Sequence, residues 1–143
     1  MSRFSKMLPL PVLSLTTPSL NNLKALEQTI LSIVSQAGSF RIRYHVQDGG
    51  STDGSLEQLT WWQAQISTGQ FPLPCSELTF SFDTNPAGAA ADRLQQGIER
   101  SRDSGFCGWL EPGDILLPGA LAFVADIGLR FSPEQVSWIS GAS

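Results

Sequence analysis

The sequence predicts an α/β protein, with a Rossmann-like, mostly parallel sheet and helices on both faces. Two observations predict it. Short apolar runs alternate with stretches whose apolar residues recur at 3- and 4-residue steps, in the order βαβαβαβαβ. Most of the apolar runs also end in a turn rich in Gly, Pro, Asn or an acid, as parallel strands do where they hand over to crossover helices. The 143 residues amount to a single domain, 1–143, long enough for a core without staples.

The elements follow in order. Pro11–Thr16 is a short apolar strand, expected to stop at Thr17-Pro18-Ser19 because a residue before proline is pushed out of the helical region. Leu23, Leu26, Ile30, Ile33 and Val34 form one apolar stripe, so a helix follows, capped by Ser19, Asn21 or Asn22 and ended at Ala37-Gly38. Phe40–Gln47 alternates Phe40, Ile42, Tyr44 and Val46 with Arg41, Arg43, His45 and Gln47. Strict alternation predicts a strand near an edge, or one whose polar face meets another part of the protein. Asp48–Gly54 is an acidic, glycine-rich turn, and a helix runs from Ser55 to Ser67 with Ser55-x-x-Gln58 as a capping box. Gly69 ends that helix, and Gln70–Ser76 is a loop. Leu78–Phe82 is a third strand, Ala89–Arg102 a third helix and Gly105–Leu110 a fourth strand. Pro118–Leu129 is a fourth helix with Pro118 at its first position, and Val136–Ile139 a fifth strand.

Composition narrows the partners. Only 15% of residues are charged, against an average of about 25%, so much of the chain is expected to be buried or to face a partner. A net charge of −4 speaks against a nucleic-acid surface and against anionic lipid. An anionic ligand then needs local help from helix N-termini, arginines or a metal ion. Cys75 and Cys107 form no metal or redox motif and read as reduced, mostly buried thiols of a cytoplasmic protein. No apolar run approaches the ~20 residues of a membrane span, and peripheral contact with the inner face of a membrane stays open. His45, alone on a polar strand face, reads as a satisfied or exposed residue rather than a ligand. Trp61 and Trp62 cannot both face one core, so one of them is expected on the surface.

Four stretches can carry chemistry, and each follows a strand: Thr17-Pro18-Ser19, Asp48–Gly54, Asp83–Gly88 with Asp92, and Glu111–Asp114. A parallel sheet gathers such stretches at one edge. That expectation puts Asp48, Asp53, Asp83, Glu111 and Asp114 around one crevice, where oxygen ligands suit Mg²⁺ or Mn²⁺ and the ion in turn holds a diphosphate. The phosphate-loop signature G-x-x-x-x-G-K-[ST] and the dinucleotide signature G-x-G-x-x-G are both missing. A carboxylate at Asp48 is poorly suited to a bare pyrophosphate but can accept a hydrogen bond, for example from the N3–H of uracil.

These stretches together resemble the family 2 glycosyltransferases of GT-A fold. Thr17-Pro18-Ser19-Leu20-Asn21 is similar to the family's T-P-S-Y-N, Ser35-Gln36 to its S-Q helix end, and Asp48–Gly54 to D-G-G-S-T-D-G in full. Gly108-Trp109-Leu110, Glu111-Pro112-Gly113-Asp114 and Leu116-Leu117-Pro118-Gly119-Ala120-Leu121 follow in the same order and register. The resemblance runs from Pro11 to about Ile127. It implies that Thr17, Pro18 and Ser19 line base and ribose, and that Asp48, with Gly49 and Ser51 in its loop, binds the base. Asp92 would contact the donor, and Asp114, with Glu111 beside it, would bind Mn²⁺ or Mg²⁺ and the diphosphate. The implied reaction is metal-assisted inverting transfer from a UDP-sugar to a saccharide or other hydroxyl acceptor.

The chain departs from the family pattern in three places. Gly113 stands where the family often has a second Asp. Ala87–Ala91 and Gln95-Gln96-Gly97 replace cation-bearing stretches around Asp92, although Arg93 is near. The sequence ends at Ser143, before the family's acceptor half and its general base, so donor binding with little transfer is expected of this chain alone. The rival expectation is a non-catalytic, degenerate domain with an assembly or regulatory role. Surface left apolar by an absent half also makes a homo-oligomer an expectation.

Overall fold

A computed structural model describes residues 10–86, 95 and 106–130. The described elements are β1 (Val12–Ser19), α1 (Leu23–Val34), β2 (Gly38–Asp48), α2 (Ser55–Ser67), β3 (Cys75–Thr84), β4 (Phe106–Trp109) and α3 (Ala120–Arg130). The four strands form one sheet in the order β3-β2-β1-β4, and every pairing is parallel. The α/β class and the parallel sheet are therefore as the alternation of patterns predicts. Of the expected helix at 89–102 only Gln95 is described, as helical, and the expected strand Val136–Ile139 lies outside the described residues.

The sheet has one apolar face because the register lines up like with like. Leu13 pairs with Ile42 and Leu15 with Tyr44, while Ile42 pairs with Leu78 and Tyr44 with Phe80. Leu26, Ile30, Ile33 and Val34 of α1 and Leu59, Trp62 and Ile66 of α2 join these residues in one buried cluster with Leu110, Leu121 and Ala125. Cutting any of its large members to Ala should cost ~2–5 kcal/mol, the usual range for such a truncation. Trp62 packs edge-on against Phe71 at 5.3 Å, and Trp61 is left half exposed, which separates the tandem tryptophans as expected.

Several boundaries differ from the pattern, each for a physical reason. β1 continues through Pro18 to Ser19, because the extended geometry that proline imposes on Thr17 is strand geometry. Pairing with β4 ends at Thr16, so β4 makes no demand on the missing Pro18 N–H. β2 is not an edge strand but lies between β1 and β3. Its polar face is exposed at Arg41 and Arg43 and buried at His45 and Gln47, where His45 Nδ1 bonds Ser81 Oγ at 2.8 Å and Nε2 bonds Gln47 Oε1 at 2.9 Å. α1 closes on Ser35, whose Oγ donates to Leu31 O at 2.6 Å, and Gly38 instead opens β2. α3 begins at Ala120 rather than Pro118, because Pro118 and Gly119 form a turn closed by the Ala120 N–H on Leu117 O at 3.1 Å. Cys75 is buried, which raises its thiol pKa, but Cys107 is exposed, contrary to the expectation for both. Among the described residues no helix is long and apolar enough to cross a membrane.

Candidate functional site

The ends of β1 and β2 are locked together where the glycine-rich turn begins. Ser19 pairs with Asp48, and the Gly49 N–H donates to Ser19 O at 2.9 Å. Asp48 is fully buried, and its carboxylate organises the turn. Oδ2 accepts the N–H groups of Gly50 (2.7 Å) and Ser51 (2.8 Å) and the Thr84 hydroxyl (3.0 Å). Oδ1 accepts the Ser51 hydroxyl at 2.5 Å. The Asn85 N–H donates to Asp48 O at 2.8 Å, so the end of β3 is tied to the same residue. Gly50 is required here: its φ is +95°, and a Cβ would stand 3.2 Å from the Pro86 ring.

Two further side chains clamp the first turn to the second. Asn21, itself at φ 51°, donates its N–H to Ser51 Oγ at 2.8 Å and accepts the Thr52 N–H on Oδ1 at 2.8 Å. Asp53 binds the N-termini of two helices at once. Its Oδ2 accepts the Leu23 N–H of α1 at 3.0 Å, and its Oδ1 accepts the Ser55 N–H of α2 at 3.0 Å and the Ser55 hydroxyl at 2.5 Å. The bond from Ser55, above all, holds the Asp53 carboxyl below its ordinary value. The caps expected from Ser19 or Asn22 and the Ser55-Gln58 capping box are therefore not what closes these helices. The Gln58 Oε1 is buried without a partner.

Thr17, Pro18 and Ser19 are all buried. The Thr17 hydroxyl accepts from Tyr44 Oη at 2.8 Å, and burial pushes the Tyr44 phenol well above its usual pKa. Ser19 Oγ is different: it is buried and has no hydrogen-bond partner.

The acidic stretch follows β4. The Leu110 N–H donates to Thr16 O at 2.9 Å, continuing the β1–β4 ladder, and the chain then turns outward. Glu111 and Asp114 are exposed. Asp114 Oδ2 accepts the Glu111 N–H at 2.9 Å, and the Asp114 N–H donates to Glu111 O at 2.9 Å. No described hydrogen bond uses Asp114 Oδ1. Gly113 holds φ +102°, a conformation that a side chain there would strain, which is a backbone reason for glycine at this position.

The strand ends do gather at one edge, but the five carboxylates do not gather into one cluster. Among the described residues no three His, Cys, Asp or Glu side chains lie together as a metal group. Asp48 and Asp53 are engaged within their own turns, Asp83 is an exposed residue at the end of β3, and Glu111 and Asp114 share a separate turn. Asp92 lies outside the described residues. Sequence reasoning missed Thr84 on Asp48, the clamp made by Asn21 and Asp53, and three polar residues, two on α1 and one just past its end. Those three, Thr29, Ser32 and Gln36, contact the segment 111–121. For Thr29 and Ser32 the signal was their spacing, beside the apolar stripe of the same helix; Gln36, past the helix end, had none.

No protein-family model matches the chain, and no curated protein matches it in sequence. Solved structures do match it in fold. The S. aureus TarS crystal structure aligns with a TM-score of 0.65 at 16% identity, over 85% of this chain and 20% of that one. A crystal structure of S. aureus TarS residues 1–349 aligns equally well and is covered to 33%. The chain thus spans between a fifth and a third of these two structures, and what they share with it is an α/β fold.

Proposed function

We propose that this domain binds a nucleotide-diphospho-sugar, a UDP-sugar in the first instance, at the ends of β1 and β2. The observation that carries the reading is the Ser19–Asp48 pair. An ionised carboxylate has about four acceptor sites, and Asp48 Oδ1 accepts a single bond, from Ser51. Beside it in register stands the Ser19 hydroxyl, buried and unpartnered. Buried polar groups are normally satisfied, and one left over asks for an explanation such as a ligand. Asp48 Oδ1 would take the uracil N3–H, and Pro18, Ser19, Gly49 and Ser51 would line the base and ribose. Thr17 would act from behind, since its hydroxyl is held by Tyr44. Asp92 is assigned the donor contact implied by the sequence resemblance.

Asp114 and Glu111 would hold Mn²⁺ or Mg²⁺. Their chemistry fits partial ligation: hard oxygen donors, exposed, with Asp114 Oδ1 unused. The remaining ligands would be water and diphosphate oxygens. When bound, such an ion would supply positive charge to the leaving diphosphate; inverting transfer to an acceptor hydroxyl, saccharide or other, would also need a general base to take the hydroxyl proton. The general base is unassigned.

Calorimetric titration with UDP, with and without Mn²⁺, tests this reading, and no heat at millimolar ligand would sink it. A sharper arm uses Asp48→Asn. The amide puts an N–H₂ donor where Oδ1 was, so it should repel the N3–H of uracil and donate to the N3 of cytosine. A shift of preference from UDP towards CDP is expected, and unchanged preference would remove Asp48 from base recognition.

The second reading is a non-catalytic domain with an assembly or regulatory role. Gly113 favours it, because the +102° turn gives the backbone what a second metal carboxylate would have to strain.

A further inference from the structure

We propose that Thr29 and Ser32 of α1, with Gln36 just past its end, are positioning residues, fixing where the acidic loop presents Asp114 to a metal-bound diphosphate. The inference rests on the reading of Asp114 given above. The three-residue step places Thr29 and Ser32 on one helix face, and Gln36, past the helix end, is tied back to it by its Nε2 donating to Ser32 O at 3.1 Å. Each reaches the segment between β4 and α3. The Thr29 hydroxyl donates to Asp114 O at 2.8 Å and accepts the Gly113 N–H at 2.9 Å. Ser32 Oγ accepts the Leu116 N–H at 3.1 Å. Gln36 uses both ends of its amide: Nε2 donates to Leu117 O at 3.0 Å, and Oε1 accepts the Leu121 N–H in the first turn of α3 at 3.0 Å.

Thr29 and Gln36 are buried, where packing alone would favour apolar side chains. The loop itself contributes little order. Residues 114–117 carry no regular structure, and one turn is closed by the Asp114 N–H on Glu111 O. The path of the loop is therefore read off α1. Thr29 matters most, because it grips the main chain on both sides of the Gly113–Asp114 peptide. The Asp114 carboxylate is tied in turn to the Glu111 N–H. Oδ2 is thus held from within the loop, the main chain is held from α1, and no described hydrogen bond engages Oδ1 of the exposed carboxylate.

The test compares Thr29→Val with Thr29→Ser. Valine keeps the shape and removes both bonds, whereas serine keeps the hydroxyl. UDP affinity is measured with and without Mn²⁺, and amide hydrogen exchange is followed by NMR. Thr29→Val should quicken exchange at Gly113 and weaken Mn²⁺-dependent UDP binding about tenfold, equivalent to ~1.4 kcal/mol. Metal-free UDP binding should be unchanged, since it uses Ser19 and Asp48, and Thr29→Ser should restore both readouts. Equal losses with and without metal would mean general loosening and would overturn the proposal. So would wild-type binding in Thr29→Val.

If the wild type shows no Mn²⁺-dependent binding, the ligand role of Asp114 fails, and exchange alone judges the positioning. Faster exchange should then be confined to Gly113 in Thr29→Val, Leu116 in Ser32→Ala and Leu121 in Gln36→Ala. Unchanged exchange at those amides overturns it. Ser32→Ala loses one bond only and keeps the test available if the valine variant fails to fold.

Discussion

Asp48 should be as important to folding as to any ligand, and the two can be separated by comparing its Ala and Asn variants. The carboxylate accepts four hydrogen bonds in a fully buried position, from Gly50, Ser51 twice and Thr84. A bond to a charged group contributes about 1.5–3 kcal/mol, and such terms do not add. In Asp48→Ala all four donors lose their acceptor, and the Ser51 N–H and hydroxyl stay buried. A loss of ~3–4 kcal/mol is expected, a large share of a domain stability of roughly 5–15 kcal/mol. Asp48→Asn can keep its single oxygen in the Oδ2 position, with three of the four bonds. Its N–H₂ then faces Ser51 Oγ, which can turn from donor to acceptor. The asparagine variant should therefore lose only ~1–2 kcal/mol, the difference between charged and neutral acceptors. Urea denaturation at neutral pH reads both numbers, and an unchanged slope would show that the native state alone is affected. An alanine variant within about 1 kcal/mol of wild type would refute the account of Asp48 as the organiser of the turn.

Three further outcomes follow from the same geometry. The Ser55 hydrogen bond depresses the Asp53 carboxyl below 3.8, so its stabilising contribution is complete above that pH and lost as pH falls through the lower folded value. Asp53→Asn should lack this acid-limb loss in a pH series of melting curves. Gly113→Ala should lower stability by ~1–3 kcal/mol in urea, the range for a non-glycine residue in a sparsely populated conformation. Gly113→Asp should suffer the same loss without raising Mn²⁺ affinity. A thiol reagent should label exposed Cys107 at once and Cys75, buried with a raised pKa, only on unfolding, which stoichiometric labelling kinetics would check.

The class of fold was legible because period and punctuation agreed. Apolar alternation in β2 and the stripe of α1 each have one physical cause, burial of one face, and both appear where expected. What alternation could not tell was the reason for polarity on the other face. His45 and Gln47 look solvent-facing in sequence and are buried in a hydrogen-bonded network, so β2 sits inside the sheet. The position of the candidate site was equally legible, since every strand-end turn had to fall on one edge. Its wiring was not. Asp53 caps a helix 30 residues away through Leu23, and Thr29 holds a loop 85 residues away, and such partners are set by tertiary contact rather than by local pattern. The residues expected to cap α1 lost to Asp53, 30 residues on, whereas α2 is capped from its own turn by the same carboxylate.

The same wiring changes what the sequence of the turn can be taken to mean. A domain that had lost its ligand would still keep Asp48, Gly50, Ser51 and Asp53, because the fold itself uses them. The residues that discriminate are those with no structural task, and Ser19 Oγ is the plainest of them. Removing an unsatisfied buried hydroxyl relieves a desolvation cost of roughly 1–3 kcal/mol that nothing in the free chain offsets. Ser19→Ala should therefore leave the unliganded domain as stable as wild type or more so, by urea denaturation, while weakening UDP binding in calorimetry. A clear loss of stability would mean that the hydroxyl has a partner within the fold. Unchanged UDP affinity would mean that it has none outside it, and the case for a ligand at the ends of β1 and β2 would then rest on Asp48 Oδ1 alone.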